Sequence, residues 1–423
     1  MDYDLVIIGA GWAGFNAAKK AQQLGLKTAV VEKDKIGGTC LNRGCIPTKA
    51  LIQSAKVYSL IKKASNFGIE TIEPKVNFSQ IQAKKQNLVQ QLSKGMEFML
   101  KGIDLIFGEA NFLSPTCLQV GTRKLNAKYF LIASGSKSIE LKDLKFDSEK
   151  IISSDEILNL KELPQSLLII GGGVIGCEFA SLFSSLGTKV AIVEKMPQLL
   201  PGEDNEVARK IEIIFKKKGI MVFTNTDAAS YDLKNYSLVL VCVGRSPLTS
   251  GLGLEKIGIN IEKGKIVTDE FLKTNFSNIF AAGDCTAKCM LAHFAAYQGK
   301  LAAENIANPG NLRKCDNRNV PNCIFTDPEI ASVGLKDEFA QVDKFEFLGS
   351  GMARILDETE GFIKISSEKN TGRIISAVII GARATELIGI LTLAIQNRLT
   401  ISSIKNTIFA HPTLSESISE AFG

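Results

Sequence analysis

The chain has 423 residues, too many for one hydrophobic core, so about two to four domains are expected. Its 45% hydrophobic and 22% charged residues are a globular balance and argue against disorder. The net charge of +6 lies on single lysines and short lysine runs without interleaved aromatics, which argues against a nucleic-acid face. No apolar run reaches membrane-spanning length. The first strand begins by residue 4, so no signal or transit peptide is expected, and the chain is read as cytoplasmic. Nine cysteines, an odd count in a long chain, do not read as a secreted disulfide scaffold. Cys285 and Cys289 lack a second pair at zinc-like spacing, and no metal site is expected.

Residues 4–9 read DLVIIG, an apolar run ending in glycine, as in a strand buried on both faces. GAGWAG follows, with Gly9, Gly11 and Gly14, then a helical pattern to about Leu24. A second strand, Thr28 to Val31, ends in Glu32. Strand, glycine turn, helix, strand and acid together make a dinucleotide-binding unit. Gly9 makes the turn, Gly11 admits the pyrophosphate to the helix N-terminus, and Gly14 lets helix and strand pack closely. Glu32, 23 residues after Gly9, can bond ribose hydroxyls.

Residues 37–49 then read GGTCLNRGCIPTK, with Cys40 and Cys45 in one short run. On a regular helix these positions point about 140° apart, so the thiols meet only across a distorted helix start. Gly44 and Pro47 permit such a distortion. The run is read as a redox-active disulfide. Helices are expected over 50–65 and 78–101, and short strands over 103–107 and 128–133. The small-residue turn Ala133–Ser136 suits close nucleotide approach.

The nucleotide unit repeats from residue 167. LLIIG leads into Gly171, Gly173 and Gly176 of GGGVIG, a helix runs to about Leu186, and the strand Lys189–Val193 precedes Glu194. Two complete units imply two nucleotide sites. Glu178, just past the second turn, can pair with Lys49 if the two nucleotide domains face each other; unrelated surface charges are the competing reading. Buried strands follow at 237–243 and 278–284, the latter ending in Gly283-Asp284. Asp284 can meet a ribitol or phosphate, with a structural cap as the alternative. From Asn319 the pattern changes to alternating strands with helices at 384–397 and near the C-terminus, an α+β arrangement that can pair subunits.

Thiol–disulfide exchange needs a base. The chain has two histidines. His411 stands before Pro412, which ends a strand and orients it, and Glu416 can reach back to hold the imidazole. His293, on the helix after Asp284, is read as packing.

GAGWAG, GGTCLNRGCIPTKAL, GGGVIGCE, VEKMPQLLPGED, VGRSP, IFAAGDC, MLAH, FTDPEIASVGL and HPTLSE together resemble the flavin-dependent pyridine-nucleotide disulfide oxidoreductases, most closely the branch that oxidises dihydrolipoamide. The resemblance implies an α/β fold of two Rossmann-like domains plus a C-terminal α+β dimerisation domain. Residues 1–140 and 247–312 would bind FAD, a shortened 141–246 would bind NAD, and 313–423 would pair the subunits. It adds Lys33, Gly38, Thr39, Ala110, Ser134, Gly135, Ser136 and the run Met290, Leu291, Ala292, His293 to the flavin side. On the nicotinamide side it adds Val174, Ile175 and Gly244. Lys49 and Glu178 would form an ion pair near the flavin.

The resemblance further implies that Cys40 meets the substrate and Cys45 the flavin. In the implied homodimer, His411 and Glu416 come from the other subunit. The implied partner is a lipoylated protein, an E2 or H-protein, oxidised with reduction of NAD+. Glu194 favours NAD over NADP because a carboxylate repels a 2′-phosphate. The chain departs from the family in two places. It is shorter, partly between Val222 and Leu238, which puts the adenosine side of the NAD pocket in doubt, and Arg43 replaces an apolar residue. An NAD(P)H-driven reductase of another small disulfide, of the glutathione type, and a flavoprotein sensor or scaffold with impaired NAD turnover remain alternatives.

Overall fold

The structure is a computed structural model that describes residues 1–335 and 337–423. Its first sheet is built from apolar, β-branched runs that are buried on both faces. β1 (Tyr3–Ile8) leads through the first glycine turn into α1 (Trp12–Gln23) and returns as β2 (Thr28–Glu32). The chain continues as α2 (Gly38–Arg43), α3 (Cys45–Lys62), α4 (Phe78–Met99) and β3 (Asp104–Phe107). β4 (Ala110–Ser114), β5 (Cys117–Val120) and β6 (Arg123–Ile132) complete this part. Strands β3, β2, β1 and β6 lie side by side, parallel, while β5 pairs antiparallel with the start of β6 and β4 pairs antiparallel with β5. The sequence marks only the second half of β6. Its first half pairs with a half-solvated ribbon, alternates between buried and exposed residues, and therefore carries no apolar run.

The chain crosses to the second sheet through β7 (Ser136–Ser138). There follow β8 (Ile151–Ile152), β9 (Ser166–Ile170), α5 (Val174–Ser185), β10 (Lys189–Val193), α6 (Asn205–Lys217), β11 (Met221–Phe223) and β12 (Leu238–Val241). These strands form a parallel sheet in the order β11-β10-β9-β12-β8. β13 (Arg245–Pro247) pairs antiparallel with β7, so outgoing and returning chains share a two-stranded ribbon. A segment with one helical turn, Ala228–Ser230, joins β11 to β12. Its Ala228, Tyr231, Leu233 and Tyr236 pack on the apolar face made by Leu168, Ile170, Ala191, Val193, Val239 and Val241. A sheet face left bare there would expose six apolar side chains, so this loop covers it.

After α7 (Leu254–Ile257) and the hairpin β14 (Ile261–Glu262) and β15 (Lys265–Ile266), β16 (Ile279–Ala281) rejoins the first sheet beside β6. α8 (Ala292–Ala307) then packs along α1; Gly299 lets the two helices touch, since a Cβ there would lie 2.0 Å from the Ala13 carbonyl oxygen.

The last part has β17 (Asn322–Ile324), β18 (Glu329–Gly334), β19 (Gln341–Glu346), α9 (Gly351–Ile355), β20 (Phe362–Ser367) and β21 (Ile374–Gly381). It ends with α10 (Ala384–Gln396), α11 (Ile401–Lys405) and α12 (Ser417–Glu420). Its sheet is antiparallel in the order β17-β18-β21-β20-β19. One buried cluster runs from Leu51 and Ile52 on α3, through Phe179 and Phe183 on α5, to Ile330 and Ile380 of this sheet. The three parts therefore share a core, and the helix carrying Cys45 is clamped from both sides. Among the described residues no helix is long and apolar enough to cross a membrane.

Candidate active site

The two cysteines stand at the join of α2 and α3. Gly44 breaks the helix there with φ −147° and ψ −115°. A Cβ at Gly44 would sit 3.0 Å from the Thr39 carbonyl oxygen, so a side chain is disfavoured. The break turns Cys45 back toward Cys40, and Pro47 and Thr48 start the new helix where a missing N–H is harmless. Both cysteines stand as free thiols. The thiols are hydrogen-bonded to each other. The Cys40 S–H donates to Cys45 and, against the cost of burial and with help from Lys49, draws the Cys45 thiol down to about 7. Cys40 moves the opposite way, held protonated by that same bond and by burial. Within the pair the proton is held on Cys40, and the thiolate character falls to Cys45.

Lys49 lies one turn past Cys45 on α3. Its Nζ is 2.9 and 2.8 Å from the two carboxylate oxygens of Glu178 on α5. Glu178 is buried and also accepts the Phe325 backbone N–H at 2.9 Å. The Phe325 ring lies 4.6 Å from the lysine Nζ. Elements of all three sheets therefore hold one cation at the thiol pair, and the reading of unrelated surface charges is excluded.

A cavity of about 1560 Å³ opens over this pair. Thr39, Cys40, Cys45, Lys49, Gly135, Asp284, Met290, Leu291, Ala292 and His293 line it from the first sheet's side. Gly171, Gly173, Val174, Ile175, Glu178, Glu194 and Gly244 line it from the second. Both glycine turns fit a dinucleotide. Gly9 and Gly171 adopt φ +101° and +107°, open to glycine and strained for other residues. A Cβ on Gly14 would stand 1.8 Å from the Gly9 oxygen, and one on Gly176 2.0 Å from the Gly171 oxygen. At Gly173, by contrast, a Cβ would meet nothing within 4 Å, so the N-terminus of α5 faces open space with its backbone donors free for phosphate. Gly11 is similar: the nearest atom, the Gly38 Cα, is 3.9 Å away.

The two acids expected at ribose hydroxyls are engaged in the fold first. Glu32 accepts the Ala10 N–H at 2.7 Å and the Asp34 N–H at 2.8 Å. Glu194 does the same for Gly172 at 2.6 Å and Met196 at 2.7 Å. Each carboxylate pins its own glycine turn, and each oxygen keeps a second lone pair for a ligand.

Other expected residues fall less simply. Ala110 starts β4 and borders a separate cavity of about 740 Å³ with Phe107, Gly108 and Arg123. Its ribbon pairing turns it there, away from the large cavity. Lys33 is exposed. The Ser134 hydroxyl donates to the Leu248 carbonyl at 2.6 Å, bracing the returning chain. Ser136 donates to Asp284 at 2.6 Å and accepts from Arg245 Nε at 2.9 Å, so Asp284 is a network acid and not a helix cap. His293 bonds the Pro321 carbonyl oxygen at 2.8 Å.

Arg43 has a definite place. It pairs with Asp34 beside β2 and stands 4.0 Å from Asp155, which Arg245 approaches to 3.8 Å from the other side. The redox helix is thereby tethered to the ribbon between the first two sheets. Asp155 carries no sequence signal, since an acid in SSDEIL reads as a surface turn. Burial raises its carboxyl, opposed by the two arginines. Sequence reasoning also passes over Trp12. It is the chain's one tryptophan, and its place inside a glycine turn is the available signal.

His411 Nδ1 lies 2.9 Å from Glu416 Oε2 in an irregular segment; no strand precedes Pro412. That bond lowers the Glu416 carboxyl. The histidine is 81% exposed and lies outside the cavity lining, so the chain's own thiols do not meet this base.

Residues 3–299 match the family described as pyridine nucleotide-disulphide oxidoreductase, and residues 320–422 match its dimerisation domain. A dihydrolipoyl dehydrogenase of Bacillus subtilis is 38% identical over 463 residues, covering 99% of this chain and 97% of that protein. One from Chlamydia pneumoniae is 40% identical over 441 residues, covering 98% and 95%. Both matches run longer than 423 residues, so the relatives carry segments that this chain lacks. Among solved structures, LpdA from Mycobacterium tuberculosis is 30% identical with a TM-score of 0.91, covering 99% and 98%. The HOCl-induced flavoprotein disulfide reductase RclA from Escherichia coli is 28% identical with a TM-score of 0.89, covering 99% of both chains.

Proposed function

The chain belongs to the pyridine nucleotide-disulphide oxidoreductases, an enzyme family that uses FAD and NAD, and on that premise we propose that it is a dihydrolipoyl dehydrogenase. The observation that carries this reading is the thiol pair: Cys45 held toward its thiolate beside Lys49, at a cavity shared by both glycine turns. Residues 1–140 and 247–312 hold FAD, residues 141–246 hold NAD, and residues 313–423 carry the dimer contact. The partner is a lipoylated E2 or H-protein in the cytoplasm.

The chemistry divides between the two sulfurs. His411 of the partner subunit, held by Glu416 of the partner subunit, takes a proton from one thiol of dihydrolipoamide. That thiolate attacks Cys40 of the closed disulfide. The Cys40–Cys45 bond breaks, and Cys45 leaves with the electron pair as a thiolate stabilised beside Lys49. The substrate's second thiol loses its proton to solvent and attacks its own sulfur in the mixed disulfide. Cys40 leaves with its electron pair, and lipoamide departs. Closing the Cys40–Cys45 bond again releases two electrons, and bound FAD would supply the chemistry that carries them as hydride to NAD+. Glu178 keeps Lys49 in place, and Glu194 disfavours a 2′-phosphate.

Purified holoenzyme should reduce NAD+ with dihydrolipoamide. Absence of turnover with flavin still bound would refute the proposal. The likeness to RclA supports a second reading, reduction of another disulfide by NAD(P)H. Faster turnover of oxidised glutathione or another disulfide than of lipoamide would favour it. The loop after β11 still brings Thr226, Asp227 and Ala228 to the cavity, which argues against a scaffold that has lost its nucleotide pocket.

A further inference from the structure

The reading of Cys40 as the thiol that exchanges with substrate leaves one side chain at that sulfur without a role. Trp12 is the first residue of α1, inside the first glycine turn, and it lines the large cavity together with Cys40. Its Nε1 is buried and, among the described residues, makes no hydrogen bond of regular geometry, although the Cys40 sulfur lies near enough to feel it. An unpaired buried donor is costly, and most are satisfied. We propose that the Trp12 indole N–H is a catalytic hydrogen-bond donor that closes on the Cys40 sulfur whenever that sulfur carries negative charge.

The physical argument is differential. A neutral thiol is a weak acceptor and leaves the indole N–H unsatisfied, as observed. A thiolate is a strong acceptor. The bond therefore strengthens as the mixed disulfide resolves. In that step the two substrate sulfurs join, the bond from Cys40 to the substrate breaks, and Cys40 takes the electron pair. A donor that acts only on the leaving thiolate lowers the barrier without tightening the ground state. A less basic thiolate also leaves faster.

The groups around Cys40 leave room for this contribution. Cys45 and burial both hold Cys40 protonated, and Trp12 and Lys49 oppose them. Lys49 is already paired with Glu178, and Arg43 with Asp34. The indole is neutral and unshared, so its N–H can be directed wholly at Cys40.

The test uses holoenzyme carrying Cys45→Ser, in which Cys40 is the one thiol of the pair, with and without Trp12→Phe. Phenylalanine keeps an aromatic ring but has no N–H. The rate of Cys40 alkylation by iodoacetamide is followed against pH, with the modified site mapped by mass. Trp12→Phe should raise the midpoint and slow alkylation at neutral pH by about fivefold. Above the midpoint the order should reverse, because the more basic thiolate is the better nucleophile. A purely structural role cannot produce that crossing. Superimposable profiles with flavin content unchanged would overturn the proposal.

If Trp12→Phe fails to fold, the unsubstituted indole still reports. Emission of this single tryptophan in the Cys45→Ser protein should titrate with the Cys40 midpoint, and a flat response through it would overturn the proposal. Alkylation requires no dihydrolipoamide, so failure of the dehydrogenase reading would show separately, as absent NAD+ reduction.

Discussion

Removing the Cys40 thiol should weaken Cys45 as a thiolate. The Cys40 hydrogen bond is the largest influence lowering Cys45 to about 7, so about half of Cys45 is ionised at pH 7. An isolated cysteine titrates near 8.5, which leaves about 3% thiolate at pH 7, a loss of about fifteenfold. The more basic thiolate is about fivefold more nucleophilic, so alkylation at pH 7 should slow only about threefold. The midpoint is the sharper measure. Cys40→Ala should move it upward by about one unit or more. Cys40→Ser keeps an O–H donor near the same sulfur and should move it less. Lys49→Met, in an otherwise unaltered chain, should shift it in the same direction by less than Cys40→Ala, since Lys49 is the smaller influence. The assay is iodoacetamide alkylation of the reduced holoenzyme against pH, with Cys45 quantified by peptide mass. Equal midpoints near 7 for the alanine and serine variants would refute the hydrogen-bond account, as would a larger shift from Lys49→Met.

His411→Gln should lower dihydrolipoamide-driven NAD+ reduction by about a hundredfold or more, while leaving thiol titration unchanged; equal loss of both would argue against a role as base. Gly14→Ala should yield protein with little bound flavin, because its Cβ would collide with the Gly9 oxygen at 1.8 Å; Gly173→Ala, with open space around it, should fold with full flavin content and a raised KM for NAD+. The two are compared by flavin absorbance per protein and by NAD+ saturation. Asp227→Ala should unpair Lys195, whose Nζ lies 3.1 Å from the Asp227 carboxylate in an exposed pair, and so cost little stability. The ratio of kcat/KM for NADP+ over NAD+ should rise several-fold as the freed cation meets a 2′-phosphate, with Tm unchanged; an unaltered ratio would count against Lys195 facing the ribose.

Much of the site is legible in the sequence because its parts are local. A glycine turn needs residues that tolerate positive φ or close contact, and those needs appear as Gly9, Gly14, Gly171 and Gly176 at repeated spacing. The cysteine pair, the Lys49 turn and the His411–Glu416 contact likewise span only a few residues each. The ribbon of β4 and β5 is not legible, because half-solvated antiparallel strands lack a continuous apolar run. The strand expected before Pro412 is instead an irregular segment.

What the amino-acid order determined by itself was therefore the set of short-range units: two nucleotide turns, one thiol pair and one histidine with its carboxylate. Only the tertiary structure decided which long-range partners act on them. It seated Glu178 on Lys49 across 129 positions and engaged Glu32 and Glu194 with backbone N–H groups as well as leaving them lone pairs. It also joined Arg43 to Asp155 and left the Trp12 N–H without a regular hydrogen bond near Cys40. The physical reason is range. Backbone conformation is dictated by neighbours in the chain, whereas proton affinity depends on burial and on charges and hydrogen-bond donors brought close by packing. So the two thiols were legible as a pair, while the thiolate character fell to Cys45 only once Cys40 and Lys49 had been packed around it, against burial and the Glu178 charge.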